Sequence, residues 1–151
     1  EAAEGRVVAA LRADPRFVEA ESLARRAVEL NTRLRGPQHP VTLRAKDSLA
    51  AALRLSGRQE EAEAVMREVF ELTRARLGDD AVETALAGLG LAEILGDLGR
   101  VTEALERARA AQAVLSPVIE PDHPNMQLTR QLIEVLELEL KQEQAGAATR
   151  P

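Results

Sequence analysis

Residues 36–63, GPQHPVTLRAKDSLAAALRLSGRQEEAE, decide the fold of this chain because parts of this stretch recur at a fixed spacing. The Glu-Ala-Glu at 61–63 also stands at 19–21, which is 42 residues earlier. Glu-Ala returns at 103–104, another 42 residues along the chain. Recurrence at one distance indicates a repeated structural unit.

Two further landmarks share this period. The Gly-Arg at 57–58 returns at 99–100. The Gly-Pro-Gln-His-Pro at 36–40 is matched by Gly-Asp-Asp at 78–80 and by Glu-Pro-Asp-His-Pro at 120–124. Independent landmarks with one spacing favour a chain built from three similar units.

The elements within each unit are predicted to be helices. Apolar residues such as Leu49, Ala52 and Leu53 fall three or four positions apart instead of alternating. Gly57 and Gly99 are expected to end helices, since glycine readily adopts the left-handed conformation found there. The predicted helices lie near residues 2–13, 17–34, 41–55, 59–76, 82–97, 101–116 and 125–143.

The predicted fold is all-α, an α-solenoid of antiparallel helix pairs. We expect a single repeat domain at 1–143, with units at about 1–35, 36–77 and 78–119, a terminal helix at 124–143, and a disordered tail at 144–151. A long coiled coil would also repeat every 42 residues, a multiple of seven. Proline and glycine within residues 36–40 and 120–124 argue against it because they would interrupt a continuous helix.

Composition excludes several classes of function. The net charge of -5 and an aromatic content of 1% argue against nucleic-acid binding, which needs a basic surface. The chain has no cysteine for disulfides or thiolate metal sites and no apolar run long enough to span a membrane. We expect a cytoplasmic protein. Because the sequence begins at Glu1 without methionine, we also expect it to be a fragment of a longer protein.

These landmarks resemble the tetratricopeptide repeat in its longer, kinesin-light-chain type, whose units read approximately Gly-Pro-Asp-His-Pro, Asn-Leu-Ala, Gly-Arg and Glu-Ala-Glu. Ser48-Leu49-Ala50 stands where Asn-Leu-Ala is expected, and the resemblance covers nearly the whole chain. The third unit departs from the pattern, since Ala81 replaces the histidine and Gly90 the asparagine. The Ala, Arg and Leu bias is similar to bacterial versions of the repeat.

The resemblance implies a scaffold that binds a protein or peptide, without catalytic residues or cofactors, as a regulatory or adaptor part of a larger protein. In this family the ligand lies on a concave groove formed by the first helices of the units. The corresponding positions here are Arg6, Arg12, Arg44, Asp47, Ser48, Arg54, Leu86, Leu89, Glu93, Leu128 and Gln131. We expect the arginines to pair with partner carboxylates and the leucines to receive apolar anchors.

Two alternatives belong to other classes. One is a sensor domain that binds a small ligand or signal peptide and controls an upstream catalytic domain. The other is an oligomerisation module, in which the last helix forms a homodimer through an apolar stripe of Met126, Ile133, Leu136 and Leu140.

Two motifs that suggest chemistry are set aside. His39 and His123 are the only histidines, and two whole repeats separate them, so they are not expected to share a metal ion. The Gly-Leu-Gly at 88–90 begins like a dinucleotide-binding motif, but Glu93 occupies the place of the last glycine and no strand precedes it. The sequence therefore predicts no metal site and no enzyme activity.

Overall fold

The structure is a computed structural model that describes residues 14–148. The helix predicted near 2–13, with the candidate residues Arg6 and Arg12, lies outside the described part of the chain. Within that part every regular element is a helix. The six helices are α1 (Pro15–Arg35), α2 (Pro40–Leu55), α3 (Gln59–Leu77), α4 (Val82–Asp97), α5 (Val101–Leu115) and α6 (Pro124–Ala148).

Five of the predicted helices agree with the observed ones to within two residues at each end. The sixth, α6, is longer than predicted, because it continues to Ala148 where a disordered tail was expected from 144. That part of the prediction is wrong for residues 144–148. Their polarity suggested disorder, but alanine and glutamine favour helices and no proline interrupts this stretch.

The helices divide into two compact units, one ending at Arg76 and the other beginning at Leu77. In unit 1, α1 packs against α2, and an ion pair between Lys46 and Glu68 joins α2 to α3. In unit 2, α5 packs against both α4 and α6, and α6 also touches α4. The buried apolar residues of α2 to α6 are thus packed against neighbouring helices, as expected for the helix pairs of a repeat, whereas α1 has no buried residue.

The turns between helices depend on glycines in the left-handed region. Gly57 and Gly99 each have a φ of 72°, and each follows the end of a helix, as predicted. The turns that precede α2 and α4 contain Gly36 and Gly78, with φ of 93° and 89°. Since no non-glycine residue among those described has a positive φ, these conformations are reserved for glycine.

A buried threonine secures each of the two turns that precede α2 and α4. The Thr42 hydroxyl donates to the Gly36 carbonyl at 2.8 Å, and the Thr84 hydroxyl donates to the Gly78 carbonyl at 2.7 Å. Both threonines are buried. The role of these two threonines was not predicted from the sequence, although their separation of 42 residues is the repeat period itself.

Helix starts are capped by side chains at three places. The Asp14 carboxylate accepts from the Arg16 amide at 2.9 Å. The Nδ1 atoms of His39 and His123 accept from the second amide beyond each histidine, at 3.2 Å and 3.1 Å. The two histidines are thus capping residues of the turns before α2 and α6. Ala81, at the equivalent place before α4, has no capping hydrogen bond.

The core is aliphatic. In unit 2, Ala85 and Leu89 of α4 meet Ala111 and Leu115 of α5 and Met126 of α6 in one buried cluster. Within residues 14–148 no helix is both long enough and apolar enough to cross a membrane.

The uncapped start of α4 generates a stability prediction. We expect Ala81→Ser to stabilise the chain by about 1 kcal/mol, because a serine hydroxyl accepts from a free amide of the first turn. This corresponds to a rise in Tm of about 3 °C, measured by thermal unfolding followed by circular dichroism. Ala113→Ser, an exposed interior position of α5, is the matched control and should not stabilise; equal Tm shifts in both variants would contradict the capping argument.

The Lys46–Glu68 pair generates a second prediction. The Lys46 ammonium lies 2.6 Å from a Glu68 carboxylate oxygen, and the lysine residue is only 8% exposed. We expect Glu68→Ala to destabilise the chain by about 1 kcal/mol, because it leaves a buried cation without its partner. In a Lys46→Met background the same substitution should have almost no effect. Urea unfolding of the unchanged chain, the two single variants and the double variant gives the coupling free energy between Lys46 and Glu68 directly. Additive effects of the two substitutions would contradict the prediction.

Candidate protein-binding faces

In unit 1 the candidate residues of α2 lie together on one exposed face. Arg44, Asp47 and Ser48 are exposed, while Arg54 is half-buried. The Ser48 hydroxyl donates to the Arg44 carbonyl within the helix at 3.1 Å, and its oxygen keeps the capacity to accept hydrogen bonds. This group of residues is called the α2 face below. Within two turns of this face, Arg44 offers a guanidinium, Asp47 a carboxylate and Ser48 a hydroxyl.

Asp47 has the most unusual environment on the α2 face. Solvent reaches this side chain, yet the surrounding protein removes enough water to raise the pKa of the carboxyl group above its usual range. Desolvation is the cause of the raised pKa, and no described residue compensates for it with an ion pair or hydrogen bond. A desolvated carboxylate of this kind favours the approach of a cationic group.

In unit 2 the candidate residues of α4 are less accessible. Leu89 is 3% exposed and belongs to the buried core cluster, so its expected role in receiving a partner's side chain is wrong. Leu86 is partly buried and packs against the same cluster, and Glu93 is partly exposed. The reason is that α4 is apolar on nearly all sides, so the sequence alone does not distinguish its core face from its outer face.

The candidate residues of α6 are on its surface. Leu128 is 41% exposed, and Gln131 is also exposed. Val135 and Leu138, with 53% and 58% exposure, continue an apolar stripe along the helix. Leu132 lies between Leu128 and Val135 in sequence and is partly buried against the core cluster.

The proposed dimer stripe requires correction. Met126, Ile133 and Leu136 are buried within unit 2, and Leu140 is partly buried. Leu136 lies so close to α4 that a Cβ atom placed on Gly96 would be 3.2 Å from its Cδ2 atom. These side chains attach α6 to its own unit, so they are not available for a second copy.

One side of α6 is polar although the equivalent side of α2 is buried, and this was not predicted from the sequence. In α2, three side chains on one side of the helix are buried: Leu43, Lys46 and Ala50. The residues two periods later in α6 are all exposed: Gln127, Arg130 and Glu134. A comparison of the units position by position would have revealed the change. The side of α6 that corresponds to a buried side of α2 is therefore polar.

A crevice of about 570 Å³ lies within unit 1, between α1 and the start of α3. Its walls carry Glu21, Arg25, Arg58 and Glu61. Arg58 lies 2.6 Å from Glu21 and 2.6 Å from Glu61, and hydrogen bonds to Glu61 and then Glu21 raise the pKa of its guanidinium. These four charged residues pair with one another and form a structural ion-pair network, while Arg26 and Glu29 also line the crevice.

This network follows the repeat as well. The Arg25–Glu21 pair of α1 is matched by Arg67–Glu63 of α3, and each pair joins residues one turn apart. Arg58–Glu61 is matched in the next unit by an ion pair between Arg100 and Glu103. The Gly-Arg and Glu-Ala-Glu landmarks are therefore explained by the ion pairs that they form.

Chemistry of other kinds has little support in the described residues. Across residues 14–148 no group of three or more histidine, cysteine or acidic side chains is arranged to hold a metal ion. The only two histidines of the chain serve as helix caps. The arrangement offers charged and apolar surfaces for contact.

Comparison with known proteins agrees with this picture. The tetratricopeptide repeat family matches residues 1–75, while among curated proteins none matches the chain. Two crystal structures from Podosopora anserina, of a protein assigned as a kinesin light chain with nearly identical TPR-like repeats, superimpose with a TM-score of 0.79. They share 19% identity over 93% of this chain, which spans 66% of their length.

At that identity the structural likeness establishes the fold, and the family match and the 42-residue period establish the kind of repeat. The predicted all-α repeat fold is confirmed. Repeats of this family generally mediate contacts between proteins and are typically not catalytic. The chain therefore has the fold of TPR-like repeats, and its residues 1–75 match the tetratricopeptide repeat family.

Proposed function

We propose that this chain is a scaffold module that binds a segment of another protein, as a regulatory or adaptor part of a larger, cytoplasmic protein. The observation that carries the proposal is the α2 face, where Arg44 and Asp47 lie exposed one turn apart without an ion-pair partner among the described residues. The bacterial character of the sequence stays a prediction.

The chemistry of the α2 face suits a peptide. The planar guanidinium of Arg44 is able to bind a carboxylate through two parallel hydrogen bonds. The desolvated Asp47 gains most from a partner's ammonium or guanidinium, because a nearby cation offsets the lost hydration. Together they recognise a segment that carries an acidic and a basic group close to each other.

The sensor alternative has one supporting feature among the described residues, the crevice of unit 1. Four of its wall residues already pair with one another, as Arg58 does with Glu21 and Glu61. A small ligand that binds there has to replace those ion pairs, so binding a protein segment remains our first choice. A homodimer through Met126, Ile133 and Leu136 is not proposed, because these residues are buried.

A charge exchange tests the role of the α2 face. We expect the double variant Arg44→Glu, Asp47→Arg to lose at least about tenfold in affinity for its partner, equal to about 1.4 kcal/mol, because the pattern of charge is reversed while the net charge is kept. Partners captured from a lysate of the source cells are identified by mass spectrometry, and their affinity is then measured by calorimetry.

The matched control exchanges charges elsewhere in unit 1. Glu29→Arg with Arg33→Glu reverses two exposed residues of α1 one turn apart and should leave partner binding unchanged. Circular dichroism establishes that both variants remain folded. Equal affinity in the two exchanged chains would overturn the assignment of the α2 face.

The raised pKa of Asp47 leads to a prediction about pH. Its folded-state pKa is above the unfolded value, so its contribution to stability is complete below the ordinary carboxyl pKa of about 3.9 and is lost as pH rises through the folded pKa. We therefore expect Asp47→Asn to stabilise the chain at neutral pH and to lose this advantage in acid. Urea unfolding at several pH values measures the difference. Glu106→Gln, an exposed change of equal charge on α5, is the control, and an advantage of Asp47→Asn that is independent of pH would contradict the assignment.

A further inference from the structure

The exposed apolar stripe of α6 falls at the same repeat positions as the α2 face. Two periods after Arg44, Ser48, Ala51 and Arg54 come, in the same order, Leu128, Leu132, Val135 and Leu138. The positions that are polar or small in α2 are thus all leucine or valine in α6. Since the side chains three, four and seven residues apart share one side of a helix, they form one surface, which we name the α6 stripe.

The α6 stripe is not the side left bare by a missing second helix. In α4, Ala85 is buried in the cluster with Ala111 and Leu115 of the second helix of its pair, and Ala92, two turns further on the same side, is also buried. The matching positions of α6 are Gln127 and Glu134, which are exposed and polar. One side of α6 is therefore polar, and another is made of exposed leucine and valine. This difference indicates that the exposed apolar side has a role of its own.

Negative charge borders the α6 stripe. Glu139 follows Val135 by four residues and Glu134 precedes Leu138 by four, so each carboxylate adjoins the stripe. Neither has an ion-pair partner among the described residues, whereas Glu137, on the packed side, pairs with Arg109 at 2.8 Å. Of the basic residues of α6, Arg130 is turned toward the Pro121 carbonyl, and Lys141 follows Leu138 by three residues at the end of the stripe, so two carboxylates and one ammonium border it.

The size of the stripe argues against a second copy as its occupant. Three side chains that are about half exposed offer on the order of 300 Å² of apolar surface. A stable dimer buries about 800 Å² on each partner. The stripe is large enough for the apolar face of one short helix, which inserts anchors at the same three- and four-residue spacing.

We infer that the α6 stripe of unit 2 binds an amphipathic helical segment of the partner protein, one that carries leucine-like side chains on one face and lysine or arginine beside them. The inference rests on the proposed function and specifies its partner. The apolar side chains of the segment lie on Leu128, Val135 and Leu138. Its cations lie near Glu134 and Glu139, and burial of the leucines strengthens these charge contacts by excluding water.

The test uses a synthetic amphipathic helix of leucine and lysine as the probe. We expect saturable binding of one peptide per chain by fluorescence anisotropy, and we expect Val135→Glu to weaken it about tenfold. That substitution adds negative charge, so general attraction to a basic peptide would increase and only the loss of apolar contact explains weaker binding. Val18→Glu is the matched control, because Val18 of α1 is 52% exposed and Val135 is 53% exposed; it should bind as the unchanged chain does.

A second probe tests the charge. A peptide with glutamate in place of lysine should bind at least about tenfold more weakly, and Glu134→Gln with Glu139→Gln should reduce that preference. Equal binding of the two peptides would overturn the basic character of the partner. Equal weakening by Val135→Glu and Val18→Glu, or a doubled mass in light scattering that Val135→Glu abolishes, would overturn the inference as a whole.

These outcomes are separable from those of the proposed function. If the charge exchange on the α2 face removes cellular partners while Val135→Glu retains both partners and peptide, the scaffold function stands and the inference fails. If Val135→Glu alone removes them, the inference stands and the α2 face is not the working surface.

Discussion

The hydrogen bond from a buried threonine to a glycine with positive φ is the constraint on which the turns before α2 and α4 depend. It closes the loop between one helix pair and the next across six residues, at 2.8 Å for Thr42 and 2.7 Å for Thr84. Because its hydroxyl is buried, the threonine has to find an acceptor inside the protein. The glycine carbonyl supplies it, so the direction in which the chain enters the next helix is fixed by a polar contact within an aliphatic core.

The third turn lacks both members of that contact, and α6 is accordingly a different helix. Glu120 stands where glycine is expected and Met126 where threonine is expected. Met126 instead joins the buried cluster of unit 2, while His123 retains the cap at the helix start. Apolar packing thus replaces the polar contact at this turn, and α6 is held by its buried side rather than by a closed loop.

The helices were predictable because glycine and proline mark their ends and because the period relates equivalent positions. The accessible faces were only partly predictable. In α2 a charged side and an aliphatic side are distinct, and Arg44 and Asp47, which the family resemblance implied, do lie on the surface. In α4, and in the leucine-rich α6, apolar residues surround the axis, so Leu89 and Ile133 look like surface candidates until packing shows otherwise. The helical ending of α6 was missed because polarity by itself does not oppose a helix.

The polar side of α6 also limits how this architecture can be extended. Repeat arrays lengthen by stacking, and each new helix pair needs an apolar side to cover. A designer who adds a second helix to pair with α6 would bury Arg130 and Glu134 without compensation, so both would need to become small aliphatic residues first. Modularity in this chain is therefore encoded in a few residues of one helix face.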